Sequence, residues 1–112
     1  MLFIDRYDPL YLKYLDISGS RWSGNAIVSS QNLSSYIQPT NPNGEFRISD
    51  LTSILGDLNV GERYVITIKF LAKAVTQTTT TCNLAIADDG VDQKESTACL
   101  TIPYNPPPPT DR

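Results

Sequence analysis

The sequence of 112 residues contains no histidine. Histidine is the commonest general base in enzymes and the commonest protein ligand for transition metals. Its absence excludes serine–histidine and cysteine–histidine nucleophile pairs within this chain. Two cysteines alone are too few for a zinc site. The sequence therefore predicts a protein that is not an enzyme, with no catalytic residues, no metal and no cofactor.

Basic residues are also scarce: nine Lys and Arg stand against twelve Asp and Glu, and the net charge is −3. Nucleic-acid binding needs a basic surface, whereas these basic residues are scattered. No apolar run approaches the roughly 20 residues that cross a bilayer. Residues 1–5 lack the basic start of a signal peptide, although a precursor signal could have been removed. We expect no nucleic-acid partner and no membrane insertion.

A strongly alternating stretch over residues 61–74 stands out in this otherwise polar chain. Its even-numbered positions are mostly apolar or aromatic, namely Tyr64, Ile66, Ile68, Phe70 and Ala72. A period of two, rich in β-branched and aromatic residues, predicts a strand with one buried face. We expect it to be the central strand of an antiparallel sheet, with Ile66, Ile68 and Phe70 in the core.

Short strand-like segments separated by turn residues fill most of the remaining chain. Strands are predicted at residues 2–7, 11–18, 25–30, 45–48, 76–87 and 95–102, with loops at 19–24 and 31–45 and a tight turn at 39–44. Helical spacing appears only at Leu51, Ile54, Leu55 and Leu58, where Ser49 or Asp50 could cap a short helix. The pattern indicates an all-β fold, an immunoglobulin-like antiparallel β-sandwich with a short helical turn near residues 50–57.

The end of the chain is rich in proline. Pro103 follows the last predicted strand, and residues 106–109 are four consecutive prolines. Such a run favours an extended polyproline II segment, which acts as a semi-rigid spacer. We therefore divide the chain into a sandwich module, residues 1–103, and a proline-rich linker or tail, residues 104–112.

Several short motifs occur in one order along the chain. They are Asp5-Arg6-Tyr7-Asp8-Pro9, Asp50-Leu51-Thr52, Leu58-Asn59-Val60-Gly61-Glu62 and Asn83-Leu84-Ala85. In this order they resemble the repeat domain of prokaryotic surface proteins known as domain of unknown function 11. The resemblance implies an immunoglobulin-like module that occurs in tandem in secreted or wall-attached proteins and has no catalytic site. It places Gly61 in a turn and Asn83 in the penultimate strand.

The chain departs from that family at its beginning. The family's modules usually start with two further strands, which are absent before Asp5 in this sequence. A sandwich without them would expose unpaired edges and an uncovered groove. Three explanations stay open: the sequence is a shortened module, the module is naturally minimal, or another chain supplies the missing strand as in donor-strand pili.

The two cysteines flank the last predicted hairpin. Cys82 and Cys99 are equidistant from a turn near Gly90, which the Asp88-Asp89-Gly90 sequence favours. Opposed residues of a hairpin point to the same face, close enough for a disulfide where geometry permits. We predict a structural disulfide in an oxidising compartment. The alternative is a pair of buried thiols in a cytosolic protein.

Other features suggest weaker sites. Asn32-Leu33-Ser34 is an N-glycosylation sequon in a loop-like region. Aspartates that could bind calcium cluster near two turns, Asp88 with Asp89 and Asp92, and Asp5 with Asp8. Aspartate is equally an ordinary turn residue. Four aromatic residues could line a sugar-binding surface, namely Trp22, Tyr11, Tyr14 and Tyr36. Lys69 or Lys73 could form an isopeptide bond with Asn83.

These observations favour a non-enzymatic structural module of a secreted or cell-surface protein, acting as a stalk, spacer or adhesin repeat. A second hypothesis is a subunit of an extracellular filament, assembled when each copy accepts a strand from its neighbour. A third is a carbohydrate- or protein-binding module. The expected partners are neighbouring domains or identical subunits, joined by strand addition, and the expected location is extracellular or at the cell surface.

Overall fold

A computed structural model describes residues 1–38 and 44–106 of the chain. Two antiparallel sheets pack together as an all-β sandwich. The strands are β1 Leu2–Arg6, β2 Leu12–Ser23, β3 Ala26–Asn32, β4 Glu45–Ile48, β5 Glu62–Ala72, β6 Thr79–Asp88 and β7 Gln93–Ile102. One short helix, α1 Leu51–Leu55, and a 3-10 turn at Ser34–Tyr36 interrupt them. The predicted fold class is confirmed, while most of the predicted turn at 39–44 and of the linker lies outside the described residues.

The strand order identifies which edges are free. One sheet has the order β4-β1-β6-β7, and the other has the order β3-β2-β5. The β1–β4 and β2–β5 pairs correspond to the B–E and C–F pairs of an immunoglobulin sandwich, and β6 occupies the position of strand A beside B. In such a sandwich strand G pairs with the outer edge of strand F. That outer edge, on β5, has no partner among the described strands.

The prediction that residues 61–74 form a central strand is wrong. β5 is an edge strand, and the centre of the three-stranded sheet is β2. β2 also continues through the predicted loop at 19–24 as far as Ser23. Its pairing with β5 shifts between Tyr14 and Asp16, and its pairing with β3 shifts between Arg21 and Trp22. The first shift places the extra residue, Leu15, in β2 and reverses its alternation, which hides this long strand from a search for a period of two. The second shift places the extra residue, Val28, in β3.

Gly19 lies inside β2 because of a close contact and not because of a turn. A Cβ atom at this position would lie 2.7 Å from Cδ1 of Leu33 and 3.1 Å from Cδ1 of Leu55. Only glycine lets the strand approach these core side chains so closely. The glycine that suggested a loop in the sequence is therefore a packing residue.

The best-buried core lies beneath α1, at one end of the sandwich. Its members are all almost inaccessible to solvent: Phe3, Ile17, Leu33, Ile48, Leu51 and Leu55. The Asp50 side chain accepts a hydrogen bond from the backbone N–H of Thr52 at the start of α1, 3.1 Å away. This N-cap and the short helix agree with the sequence-based prediction. We call this part of the molecule the closed end.

Polar contacts attach α1 to the neighbouring strands. Arg21 donates from Nε to the carbonyl oxygen of Leu55 at 2.9 Å, and from Nη1 to Oε1 of Glu62, also at 2.9 Å. The Tyr64 hydroxyl donates to the carbonyl oxygen of Gly56 just after the helix. The backbone N–H of Asn59, together with Arg21, lowers the pKa of Glu62. The carbonyl oxygens of Leu55 and Gly56, which have no partner within the helix, thus accept hydrogen bonds from side chains of β2 and β5.

Candidate functional site

A groove lies between β5 of one sheet and β6 and β7 of the other. It encloses about 450 Å³. Its walls are mainly apolar and include Phe3, Leu12, Ile66, Ile68, Phe70 and Leu100. Its polar side chains are Asp5, Thr81 and Asn83. We call this feature the groove, and it has the apolar character with a few polar groups that is typical of binding sites.

Aromatic contacts between the sheets show why the groove exists. The Tyr14 ring on β2 lies 4.6 Å from that of Phe46 on β4. The Tyr7 ring, one residue beyond β1, lies 4.9 Å from that of Phe70 on β5. The Phe46 ring also stacks on that of Phe70 at 6.1 Å, so aromatic rings on β2, β4 and β5 fill the space between the sheets here. The side chains that β6 presents to the groove are smaller, namely Thr81, Asn83 and Ala85, and the groove is the space that they leave opposite β5.

Apolar side chains at the groove are only partly covered. Ile66 and Ile68 pack against the core, yet they and Phe70 remain half-buried. Leu100, on the opposite wall, is 50 % exposed. The predicted inward direction of the β5 residues is correct, but the prediction that they are buried in the core is wrong. The physical reason is that no neighbouring strand covers them on the groove side.

A carboxyl and an amide form the polar centre of the groove. Asp5 is completely buried, and Asn83 donates from Nδ2 to its Oδ2 at 2.7 Å. Oδ1 of Asp5 and Oδ1 of Asn83 are both buried without a hydrogen-bond partner among the described residues. Burial raises the pKa of Asp5 to about 6, although the hydrogen bond from Asn83 acts in the opposite direction. Two buried acceptors without donors are unusual in a folded protein.

The hairpin that forms the floor and one wall of the groove is braced by a disulfide. Cys82 pairs with Cys99 in the β6–β7 register, as predicted. The two residues form a disulfide with their Cα atoms 4.0 Å apart. Because side chains alternate along a strand, Thr81 and Asn83 face the groove, and the disulfide lies on the other face of the sheet. The bridge holds the groove wall without filling the groove.

The aspartates proposed as calcium ligands serve the local backbone. Asp88 accepts from the N–H of Gly90 at 2.8 Å, and Asp89 accepts from the N–H groups of Val91 and Asp92 at 2.8 and 2.7 Å. The bond from Asp92, followed by that from Val91, lowers the pKa of Asp89. No group of three or more metal-binding side chains occurs within residues 1–38 and 44–106. These contacts are those of a tight hairpin turn, which the sequence predicted here.

The second pair of proposed calcium ligands does not form a cluster of shared ligands either. Asp5 is bound to Asn83 in the groove, whereas Asp8 accepts from the backbone N–H of Leu10 at 2.9 Å.

The sequon residue Asn32 is exposed, and its side-chain amide donates to Asp16 at 2.8 Å. Glycosylation of Asn32 stays a prediction.

The aromatic residues proposed for sugar binding have separate environments. Trp22 lies under the guanidinium of Arg63, 5.3 Å from the ring centre, while Tyr14 packs on Phe46 in the interior. Eight strand residues separate Trp22 from Tyr14, which corresponds to roughly 26 Å. These two rings therefore do not form one flat surface for a sugar.

The lysines proposed for an isopeptide bond are engaged elsewhere. Lys69 lies opposite Asp16 in the β2–β5 register, on the outer side of β5. Lys73 donates from Nζ to the backbone carbonyl of Pro9 at 2.6 Å. Neither lysine is bound to Asn83, whose amide donates to Asp5. An isopeptide bond within the chain is not supported by this arrangement.

Comparisons with protein families, characterised proteins and solved structures find no match to this chain. The resemblance to domain of unknown function 11 therefore stays a prediction. Within the described part of the chain, no helix has the length and apolar character needed to span a membrane.

Sequence reasoning missed the Asp5–Asn83 pair. The signal was present in part, because Phe3, Asp5 and Tyr7 alternate along the strand predicted at residues 2–7 and would share one face. An aspartate between two aromatic residues on a buried face is a rare and informative pattern. Its partner was not detectable, since 78 positions separate Asp5 from Asn83 along the chain.

Proposed function

We propose that this chain is a non-enzymatic structural module of a secreted or cell-surface protein, whose sandwich is completed by an additional β-strand inserted beside β5. The groove carries this proposal. It is long, apolar and open, and it lies where strand G of an immunoglobulin sandwich would add to strand F.

The free backbone edges support the insertion of a strand over the binding of a compact ligand. β5 and β7 are both edge strands within the described sheets, and they form the two sides of the groove. An edge strand presents unpaired N–H and C=O groups that can pair with another segment. In β-strand addition these groups supply affinity, while alternate side chains of the added strand fill the groove.

The groove favours this reading over a self-sufficient spacer. A closed module would bury the inner face of β5, whereas Ile66, Ile68 and Phe70 remain half-buried. Exposed apolar surface of this kind typically marks an interaction site. The donated strand can come from a neighbouring module or from an identical subunit, so a stalk and a filament use the same device. The Cys82–Cys99 disulfide supports an oxidising, extracellular compartment.

A synthetic strand tests the proposal on the full, oxidised chain. The probe is the peptide Val-Thr-Val-Ser-Leu-Ser-Val-Thr-Val, blocked at both ends, whose alternate side chains match an apolar groove. We expect it to raise the thermal midpoint, because a ligand that binds only the folded state stabilises it. Hydrogen exchange measured by mass spectrometry should slow in β5, where the peptide would pair.

Two variants give the control. Leu100→Lys places a charge on the groove wall at a residue that is already 50 % exposed, and it should abolish binding. Val91→Lys adds the same charge at a residue that is 90 % exposed in the hairpin turn, and binding should persist. Unchanged exchange in β5 at saturating peptide, with a cooperatively folded monomer, would overturn the proposal.

A further inference from the structure

We infer that the strand inserted into the groove carries one lysine among its apolar inward-facing residues, and that its ammonium group binds Asp5 and Asn83. This inference rests on the proposed function, since it describes the strand that the groove accepts. The groove would therefore prefer a strand with one inward-facing lysine over a strand whose inward-facing residues are all apolar.

The unpaired acceptors point to a donor side chain. Oδ1 of Asp5 and Oδ1 of Asn83 are buried and lack donors in the described residues. A buried acceptor without a partner costs free energy that an arriving donor recovers. The lysine ammonium group has three donors and no acceptor, so it can serve both oxygens at once.

The position of the pair beneath the open strand site makes the contact geometrically reasonable. Asn83 lies on β6 and lines the groove opposite the residues of β5. The neighbouring groove-facing residues on β6 and β7 are small, namely Thr81, Ala85 and Ala98. A long side chain entering from above has room to reach the floor. Its methylene groups would pack beside Ile68 and Phe70 while its charged end reaches the carboxyl.

Charge complementarity selects a cation over a neutral donor. Asp5 makes no ion pair with any Lys or Arg of the described chain. The inward residues around it on β4, β5 and β6 carry no charge, namely Phe46, Ile68, Phe70 and Ala85. Tyr7, one residue beyond β1, is the titratable group that senses Asp5, because burial and then the Asp5 charge raise the pKa of Tyr7. A buried carboxylate without a counter-ion is costly, and an ammonium group would stabilise it.

The predicted preference depends on pH. Burial raises the pKa of Asp5 to about 6 in the free protein. A cation binds the ionised carboxylate better than the neutral acid. The advantage of lysine should therefore be largest above about pH 7 and should shrink as the pH falls through 6.

Three matched peptides test the inference on the full, oxidised chain. They share the frame Val-Thr-Val-Ser-X-Ser-Val-Thr-Val, where X is lysine, acetyl-lysine or norleucine. At about pH 8 the lysine peptide should bind at least about tenfold more tightly than either neutral peptide, the difference typical of a charge-assisted hydrogen bond. At about pH 5 the difference should largely disappear.

The protein variant Asp5→Asn supplies a second comparison, in which the lysine advantage should be lost at both pH values. Should this variant fail to fold, the pH series on the unmodified chain decides alone. Equal affinity of the three peptides would overturn the lysine preference and leave strand insertion intact. Failure of all three to bind would overturn both proposals.

Discussion

The closed end beneath α1 and the open side along the groove belong to the same sandwich but reach very different degrees of burial. Leu55 in the closed end is 1 % exposed, whereas Leu100 on the groove wall is 50 % exposed. Leu55 lies on the helical spacing that predicted α1, and Ile68, which is half-buried on the groove wall, lies on the alternation that predicted β5. The difference shows that periodicity predicts the direction in which a side chain points. Its burial depends in addition on whether another strand covers it, which the local sequence pattern does not reveal.

The polar groups of the two regions differ in the same way. In the closed end, Arg21 bonds both the Leu55 carbonyl and Glu62, so the buried cation has partners. At the groove, one oxygen of Asp5 and one of Asn83 have none among the described residues. Native proteins rarely leave buried acceptors unpaired. We interpret the unpaired oxygens as a mark of the side on which the sandwich is incomplete.

The largest expected effect separates the two regions directly. Leu55→Ala should lower the free energy of unfolding by about 3–5 kcal/mol, because it removes a fully enclosed side chain and leaves a cavity. Ile68→Ala, in the half-buried wall of the groove, should cost roughly half as much. Urea denaturation of the oxidised variants measures both values. Equal costs would contradict the distinction between a closed and an open region.

Binding of a strand should sharpen this comparison. In the presence of saturating peptide, Ile68 would be covered on both sides, so the cost of Ile68→Ala should rise toward that of Leu55→Ala. The cost of Leu55→Ala should stay the same, because the closed end already excludes solvent. A peptide that stabilised the protein without changing the relative cost of Ile68→Ala would bind elsewhere.

Features defined by neighbouring residues were predictable from the sequence. The cap at Asp50, the helix α1 and the hairpin turn at Asp88–Gly90 each depend on side chains within a few positions. The Cys82–Cys99 pairing followed from the symmetry of a single hairpin. Such features require only local backbone geometry, which the amino-acid types encode directly.

Features defined by distant contacts were not predictable. The status of β5 as an edge strand depends on the order β3-β2-β5, which no local pattern contains. A bulge at Leu15 reversed the alternation of β2, and Gly19 and Gly24 made its second half resemble a loop. The contact between Asp5 and Asn83 joins β1 to β6 across most of the chain. The candidate site therefore emerged only when the strands were placed side by side.

The next largest effect is expected on removal of the Cys82–Cys99 disulfide, which tests whether the stability of the groove side depends on this bond. Replacing both Cys82 and Cys99 by Ser should lower the free energy of unfolding by on the order of 3 kcal/mol, since the bond closes a loop of 17 residues in the unfolded chain. Hydrogen exchange should quicken in β6 and β7 and stay unchanged in α1. Uniform acceleration in both regions would indicate that the groove hairpin does not behave as a separate unit.

The smallest expected effect concerns the buried carboxyl at the groove and depends on pH. The pKa of Asp5 is raised from its ordinary value of 3.8 to about 6, so the folded protein binds this proton more tightly than the unfolded chain. The contribution of Asp5 to stability is therefore fully present below about pH 4 and is lost as the pH rises to about 6.

The variant Asp5→Asn tests this contribution. The substitution removes the charge, and the new amide can donate to Oδ1 of Asn83. We expect this variant to be more stable than the parent by about 1–3 kcal/mol at about pH 8, with a smaller difference at about pH 4. Urea denaturation across this pH range measures the effect, and Asp57→Asn, at an exposed carboxyl outside the groove, is the control. A gain at pH 8 that disappears when the lysine peptide is bound would show that an unpaired charge, and not loose packing, is what distinguishes the open side. A variant less stable than the parent at every pH would instead assign Asp5 a structural role as an acceptor for Asn83.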